Sequence, residues 1–510
     1  MKYVVLVAAL LAIPASAGQL GLLELGPNDR GPAVAAGLEI YRDFGDAVLV
    51  DADRMPNQFA GRARLLDSEL AEGEYFIVYG GQGAESREQQ RVLLKRDGFV
   101  LVRMSEEEAL ELKAQGVLLK QVAPRPYRLR NLAQEPVAIP LGPDTAIERL
   151  IRAVSIDSLH DRILELQNFV TRYSYSPKCE SAAKYLYDRL VGLGLDVRVD
   201  TYYLTQPTTR ALNVEVTLPG VVVPESVVIA CAHFDSYSSV GMTRAPGADD
   251  NATGTASLLE LARVLKDARL RWTVKLVAFS GEEQWMKGSY HWVDSVAIPE
   301  GMKIGGAFNL DMMAYTAADT TRLVMNTNTP SAGLAALSES VNVWYDVGLR
   351  LINYLDEDCA GDNQPFWERG FRSVFALEDS EWGIWNGSNP HYHTTHDTIG
   401  FIRMGQELRA TQLALGCMAS LSGLAPLAVM EEMPNAEVRM PNGGPTVVRG
   451  RLNLQSPISH RQSSAELLDA AGRSVMELRA GENDVSGLAP GVYFVVGAGR
   501  SGPAHVVKVR

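Results

Sequence analysis

Five short segments of the sequence end in residues that hold metal ions or move protons. His233 opens His-Phe-Asp, Asp249 lies in Pro-Gly-Ala-Asp-Asp, and Glu282 and Glu283 follow Gly281. Asp311 ends Asn-Leu-Asp, and His393 lies in His-Tyr-His-Thr-Thr-His-Asp-Thr. Taken singly, each is a common strand-end or loop residue. The set carries more weight, because the chain has only 8 histidines and four of them, His233, His391, His393 and His396, fall in two of these segments. Imidazole and carboxylate ligands suit zinc, with cobalt or manganese as feasible substitutes. Five candidates, His233, Asp249, Glu283, Asp311 and His393, exceed the roughly three protein ligands of one catalytic zinc. They suffice for two ions if one carboxylate bridges, and two ions about 3.5–4 Å apart can bind an attacking water and polarise a carbonyl together. A nearby carboxylate outside the ligand set must then take the water's proton, and the adjacent Glu282 and Glu283 offer that division. Asp235, two residues beyond His233 on an extended segment, faces the same side and can accept the second ring N–H of that histidine. The chemistry is metal-assisted hydrolysis of an amide.

These residues need a frame that gathers them at one edge. The runs 226–233, 273–280, 304–311 and 373–379 are almost continuously apolar, as strands covered on both faces of a sheet are. Amphipathic helices are expected over 158–170 and 180–190, with Ala183, Leu186, Leu190 and Leu193 on one stripe, and another at 255–266. The fold class is therefore α/β, a mostly parallel central sheet flanked by helices, with the ligand-type residues at the C-terminal strand ends where such sheets place their crevices.

At these motifs the sequence resembles the zinc aminopeptidases of the bacterial leucyl aminopeptidase and aminopeptidase Y type, over roughly Ser155 to Leu424. The resemblance rests on His-x-Asp, Pro-Gly-Ala-Asp-Asp, Gly-Glu-Glu, Asn-Leu-Asp and His-Thr-Thr-x-Asp-Thr in that order. It implies two Zn2+ per catalytic domain bridged by Asp249, with His233 and Asp311 completing one site and Glu283 and His393 the other. It further implies Glu282 as general base, Asp235 as support for His233, and a cis peptide bond at Asp249–Asp250. The His-Thr-Thr register selects His393 over its neighbours His391 and His396. The segment 361–366 resembles the family's Ser-Asp-His-x-x-Phe, with Gly361 and Asn363 as departures, and leaves the oxyanion-binding group unassigned. A carboxypeptidase or a glutaminyl cyclase on the same fold, or a non-catalytic binding ectodomain, are the alternatives to an enzyme that removes N-terminal residues from peptides.

Around this domain the chain divides further. Lys2, the apolar run Val4–Ile13 and Ala15-Ser16-Ala17 form the pattern of a signal peptide cut after Ala17, so a secreted, cell-surface or periplasmic location is expected. Residues 18–120 read as a small α+β unit, with a capping-box start at Ser105. A propeptide, an inhibitory prodomain and a docking module all fit this unit. Five prolines between Pro124 and Pro143 mark a linker over 121–145. The catalytic domain is expected over 146–430, followed by an all-β module at 445–510 that resembles secretion-sorting tail domains. Of the four cysteines, Cys231 is read as core, and one or two bridges of undetermined pairing are compatible with an oxidising compartment. A net charge of −13 gives no basic face for nucleic acid, and no later run is apolar enough to span a bilayer. Peptides are the expected partners.

Overall fold

The computed structural model describes residues 18–425, apart from 27, 80–90, 97, 131–141, 206, 317–320, 356–360 and 379–388, together with parts of the tail between 446 and 508. The signal-peptide segment 1–17, Cys359 and much of the expected linker lie outside the described residues. The chain forms two compact units, 1–427 and 428–510.

In the first unit, residues 18–128 build two four-stranded antiparallel sheets. Leu20, Leu22, Leu49, Ile77 and Leu101 share one core between them. The helix Glu106–Ala114 follows, and its start is a complete capping box. Ser105 Oγ accepts the N–H of Glu108, while the Glu108 side chain accepts the N–H of Ser105, so two otherwise orphaned donors are satisfied. The proline-rich stretch is not free at its start. Tyr127 and Arg128 pair antiparallel with Ile40 and Glu39, because Tyr127 and Leu129 carry enough apolar surface to join the N-terminal core.

The main sheet has eight strands: β1 (Val197–Thr205), β2 (Thr208–Leu218), β3 (Val223–His233), β4 (Trp272–Phe279), β5 (Lys303–Leu310), β6 (Arg322–Thr327), β7 (Arg350–Leu355) and β8 (Ser373–Glu378). Their order is β1-β2-β4-β3-β5-β8-β6-β7. The sheet is mixed, and β6 and β7 at its far end pair parallel like its centre. The centre β4-β3-β5-β8 is parallel, but β1, β2 and β4 pair antiparallel, as do β8 and β6. Only two residues separate Thr205 from Thr208, too few for a crossover, so β1 and β2 must run in opposite directions. Helices Ile156–Gln167, Pro177–Gly192, Gly254–Leu265 and Met404–Ser422 cover one face through Leu159, Ile163, Leu186, Leu261 and Leu415. Each such buried side chain contributes about 1.5–3 kcal/mol relative to exposure. Trp292, Phe279 and Phe366 fill the opposite face.

The second unit is all-β among its described residues, with a five-stranded and a two-stranded sheet. No helix among the described residues is long and apolar enough to cross a membrane. Cys179, Cys231 and Cys417 are free and buried.

Candidate metal centre

The parallel strands β3, β4, β5 and β8 all end on one edge, and the side chains of interest issue from the loops that leave them. His233 is the last residue of β3 and is buried. Its Nε2 lies 3.2 Å from Oδ1 of Asp250 and 3.2 Å from Oδ1 of Asp311. His393 Nε2 lies 3.2 Å from Oδ2 of Asp250 and 3.0 Å from Oε2 of Glu283. Asp250 thus offers one oxygen to each histidine, and ligand-type atoms cluster as His233, Asp250 and Asp311 on one side and Asp250, Glu283 and His393 on the other.

Four of the five expected ligands, His233, Glu283, Asp311 and His393, are brought together. The fifth, Asp249, is turned away and Asp250 stands in its place. The Asp249 carboxylate accepts the N–H groups of Ala314 and Tyr315 and the side-chain amide of Asn389, at 3.0–3.2 Å. With its oxygens committed there, it cannot also face the histidines. The cis peptide bond accordingly lies at Asp250–Asn251, not at Asp249–Asp250. Of the competing histidines, His391 stacks on Phe401 with centroids 3.7 Å apart, and His396 is exposed.

Asp235 does more than face His233, whose Nδ1 is 3.5 Å from its Oδ1. Its two oxygens accept the N–H groups of Glu282 and Glu283, each at 3.3 Å, and Oδ2 also accepts Ser174 Oγ at 2.6 Å. One buried carboxylate therefore ties the end of β3 to the turn after β4. That turn depends on Gly281, whose φ of +67° is open to glycine and whose added Cβ would meet Tyr202 Oη at 2.5 Å. The loop carrying Asp250 is fixed by Arg172. Its fully buried guanidinium donates to the carbonyls of Leu166, Phe234, Pro246 and Gly247 at 2.7–3.0 Å. Burial without a facing carboxylate in contact lowers its pKa to about 10. Sequence reading missed Arg172 because a lone arginine between helices carries no motif.

The donor set suits divalent cations on this structure's own evidence. Asp235, Asp250, Glu282, Glu283, Asp311 and Asp362 crowd around two histidines and Lys113. Burial pushes Asp311 up to about 6 and Asp362 up to about 7. It also raises Glu282 well above the ordinary range, helped by the neighbouring Glu283 carboxylate. Glu283 Oε1 is buried with no hydrogen-bond partner. Buried anions in excess of their cations, with an orphaned oxygen among them, fit cations bound between the two histidines.

Comparison with known proteins finds similarity over this α/β unit. Residues 213–418 match Peptidase family M28. The chain is 32% identical over 177 residues to aminopeptidase YwaD of Bacillus subtilis (strain 168), a match covering 34% of this chain and 37% of that protein. It is 25% identical over 363 residues to leucine aminopeptidase 1 of Emericella nidulans, covering 64% and 88% respectively. The LapA aminopeptidase structure of Legionella pneumophila superposes with a TM-score of 0.57 at 16% identity, over 69% of this chain and 99% of that one. The LapB structure from the same organism gives 0.56 at 17% identity, over 69% and 100%. The α/β unit with its metal-type cluster is thus the part of the chain that is similar to Peptidase family M28, over residues 213–418.

Proposed function

We propose that this protein is a secreted two-zinc aminopeptidase in which His233 and Asp311 hold one ion, Glu283 and His393 hold the other, and Asp250 bridges them. The observation that carries this reading is the placement of Asp250, with one oxygen 3.2 Å from Nε2 of each histidine. Zinc ions held there would acidify a water molecule and polarise the scissile carbonyl.

The chain's own groups supply the rest. Glu282 is half-buried and its backbone is anchored on Asp235 at 3.3 Å. A carboxylate whose affinity for protons is raised by burial is a competent base near neutral pH, able to take the water's proton and deliver it to the leaving amine. Asp235 orients His233 and the Glu282–Glu283 turn together, so it is a positioning residue. Export rests on Lys2, the apolar run Val4–Ile13 and Ala15-Ser16-Ala17. N-terminal sequencing of the extracellular protein should begin at Gly18.

Zinc content and release of nitroaniline from leucyl nitroanilide test the centre. About two zinc per chain with turnover is the expected result, while less than one ion and no turnover would sink it. Glu282→Gln should keep its zinc and lose roughly 10²–10⁴ in kcat. Comparing free with N-acetylated peptides separates an aminopeptidase from a carboxypeptidase, since only the former requires the free amine.

A further inference from the structure

The turn that follows β4 and carries Glu282 is held in an uncommon conformation. Gly281 has a φ of +67°, Trp285 of +69° and Met286 of +58°. The last two are left-handed at residues with a side chain, a conformation that L-residues enter only at a cost. Two backbone bonds close the turn, from the Met286 N–H to the Glu282 carbonyl and from the Lys287 N–H to the Gly281 carbonyl, both at 2.8 Å.

The N-terminal segment grips this turn residue by residue. The Trp285 indole is buried in a core whose other described members all lie between Phe76 and Leu119. It meets Phe76 edge-on with centroids 5.2 Å apart. Met286 packs on Ala123. Lys287 Nζ donates to Gln121 Oε1 at 3.0 Å and lies 3.6 Å from Oε2 of Glu106. Lys113 Nζ donates to the Glu283 carbonyl at 3.1 Å and to Oε2 of its side chain at 2.8 Å. The first of these bonds fixes backbone, whatever the carboxylate holds. Phe76 and Gln121 are cross-strand partners, so one sheet of the N-terminal segment holds both Trp285 and Lys287.

We propose that residues 18–128 brace the Glu282-bearing turn in its working conformation, with Phe76, Gln121 and Lys113 as positioning residues. The proposal rests on the aminopeptidase reading above, in which Glu282 is the base. Burial of the indole offsets the cost of the left-handed backbone. Without the brace that cover is lost, and Trp285 and Met286 relax towards the ordinary allowed regions. Glu282 lies three residues before Trp285, so relaxation there displaces the carboxylate that must meet the water. The segment is then part of the working enzyme. An inhibitory prodomain predicts the opposite sign, because loosening an inhibitor raises turnover.

The test uses the full-length protein with Phe76→Ala or Gln121→Ala, the second serving if the first fails to fold, and Phe76→Leu as the conservative change. Hydrogen exchange at the amides of Glu282 and Glu283, which donate to Asp235, is read in the metal-free proteins against the amides of β5. Turnover of leucyl nitroanilide is read in the zinc-loaded proteins. We expect faster exchange at the turn alone, and a fall in kcat of about 10–100-fold with KM little changed. Phe76→Leu should recover most of that fall. Unchanged exchange at the turn would overturn the proposal. In an active enzyme, an unchanged or raised kcat would overturn it as well. If no protein, wild type included, hydrolyses the nitroanilide yet exchange at the turn quickens, the brace stands and the aminopeptidase reading fails.

Discussion

Asp397 holds Asp250 by its backbone. The Asp397 carboxylate accepts the N–H of Asp250 on one oxygen at 3.0 Å and the N–H of Asp249 on the other at 2.9 Å. The last motif of the sequence, His-Thr-Thr-His-Asp-Thr, thus supplies both His393 and the clamp for the carboxylate that His393 faces. Two backbone donors in a dry interior need a partner that can accept twice at a fixed spacing, which a carboxylate does and an amide does not.

Asp397→Asn should therefore leave one of the two N–H groups facing an NH2. We expect a loss of about 1–3 kcal/mol in stability, because the orphaned donor stays buried. Zinc affinity should fall by about 10–100-fold, as for other residues that orient ligands. Competition titration against a chelating dye measures the second effect and a thermal melt the first.

Asp249→Asn and Asp250→Asn should behave differently although the residues are neighbours. Asp250→Asn removes the oxygen pair between His233 and His393, so zinc stoichiometry should drop. Asp249→Asn keeps one acceptor oxygen, for Ala314 or for Tyr315 but not for both, and should keep its zinc while losing thermal stability. Metal analysis after dialysis decides between them, and retention of both ions by Asp250→Asn would show the bridge to be misplaced.

The difficulty of choosing between those two aspartates marks where sequence reading stops. His233, Glu283 and Asp311 were legible because apolar runs point to buried strands, and residues just beyond such runs meet at one sheet edge. Asp249 and Asp250 share a loop with no strand or helix period, so nothing local says which carboxylate turns inward. That depends on the N–H groups of Ala314 and Tyr315, more than sixty residues on. Lys113 was invisible for the same reason on a longer scale. The antiparallel edge β1-β2 was hidden because β1 alternates buried and exposed residues only in part, unlike the apolar runs that flagged the centre.

Glu407 offers a pH-dependent test away from the metals. It is fully buried, Ser257 Oγ donates to its Oε1 at 2.9 Å, and Oε2 has no partner. Burial pushes its pKa from 4.5 up to about 8. The folded state therefore holds the proton more tightly than the unfolded chain. Its contribution is fully present below about pH 4.5 and is lost as pH rises towards about 8, and each pKa unit is worth about 1.4 kcal/mol. Glu407→Gln cannot ionise, so its urea midpoint should fall less than that of the wild type between pH 5 and pH 8. Parallel pH profiles for the two proteins would show that Glu407 is not the titrating group.

Gly281→Ala probes whether the turn after β4 sets the position of the base. Alanine at a φ of +67° costs about 1–2 kcal/mol from the backbone alone. Its Cβ would also approach Tyr202 Oη to 2.5 Å, where that hydroxyl donates to the Ser280 carbonyl at 2.7 Å. Relief of the second strain requires the turn to shift, which moves Glu282 and Glu283 relative to Asp235. We expect a lower urea midpoint together with a fall in kcat/KM that exceeds the loss of folded protein. Combining the change with Tyr202→Phe removes the contact and leaves the backbone cost, so the pair should recover part of the activity and little of the stability. Full recovery of both would place the strain at Tyr202 alone and release the turn from any role in aiming Glu282.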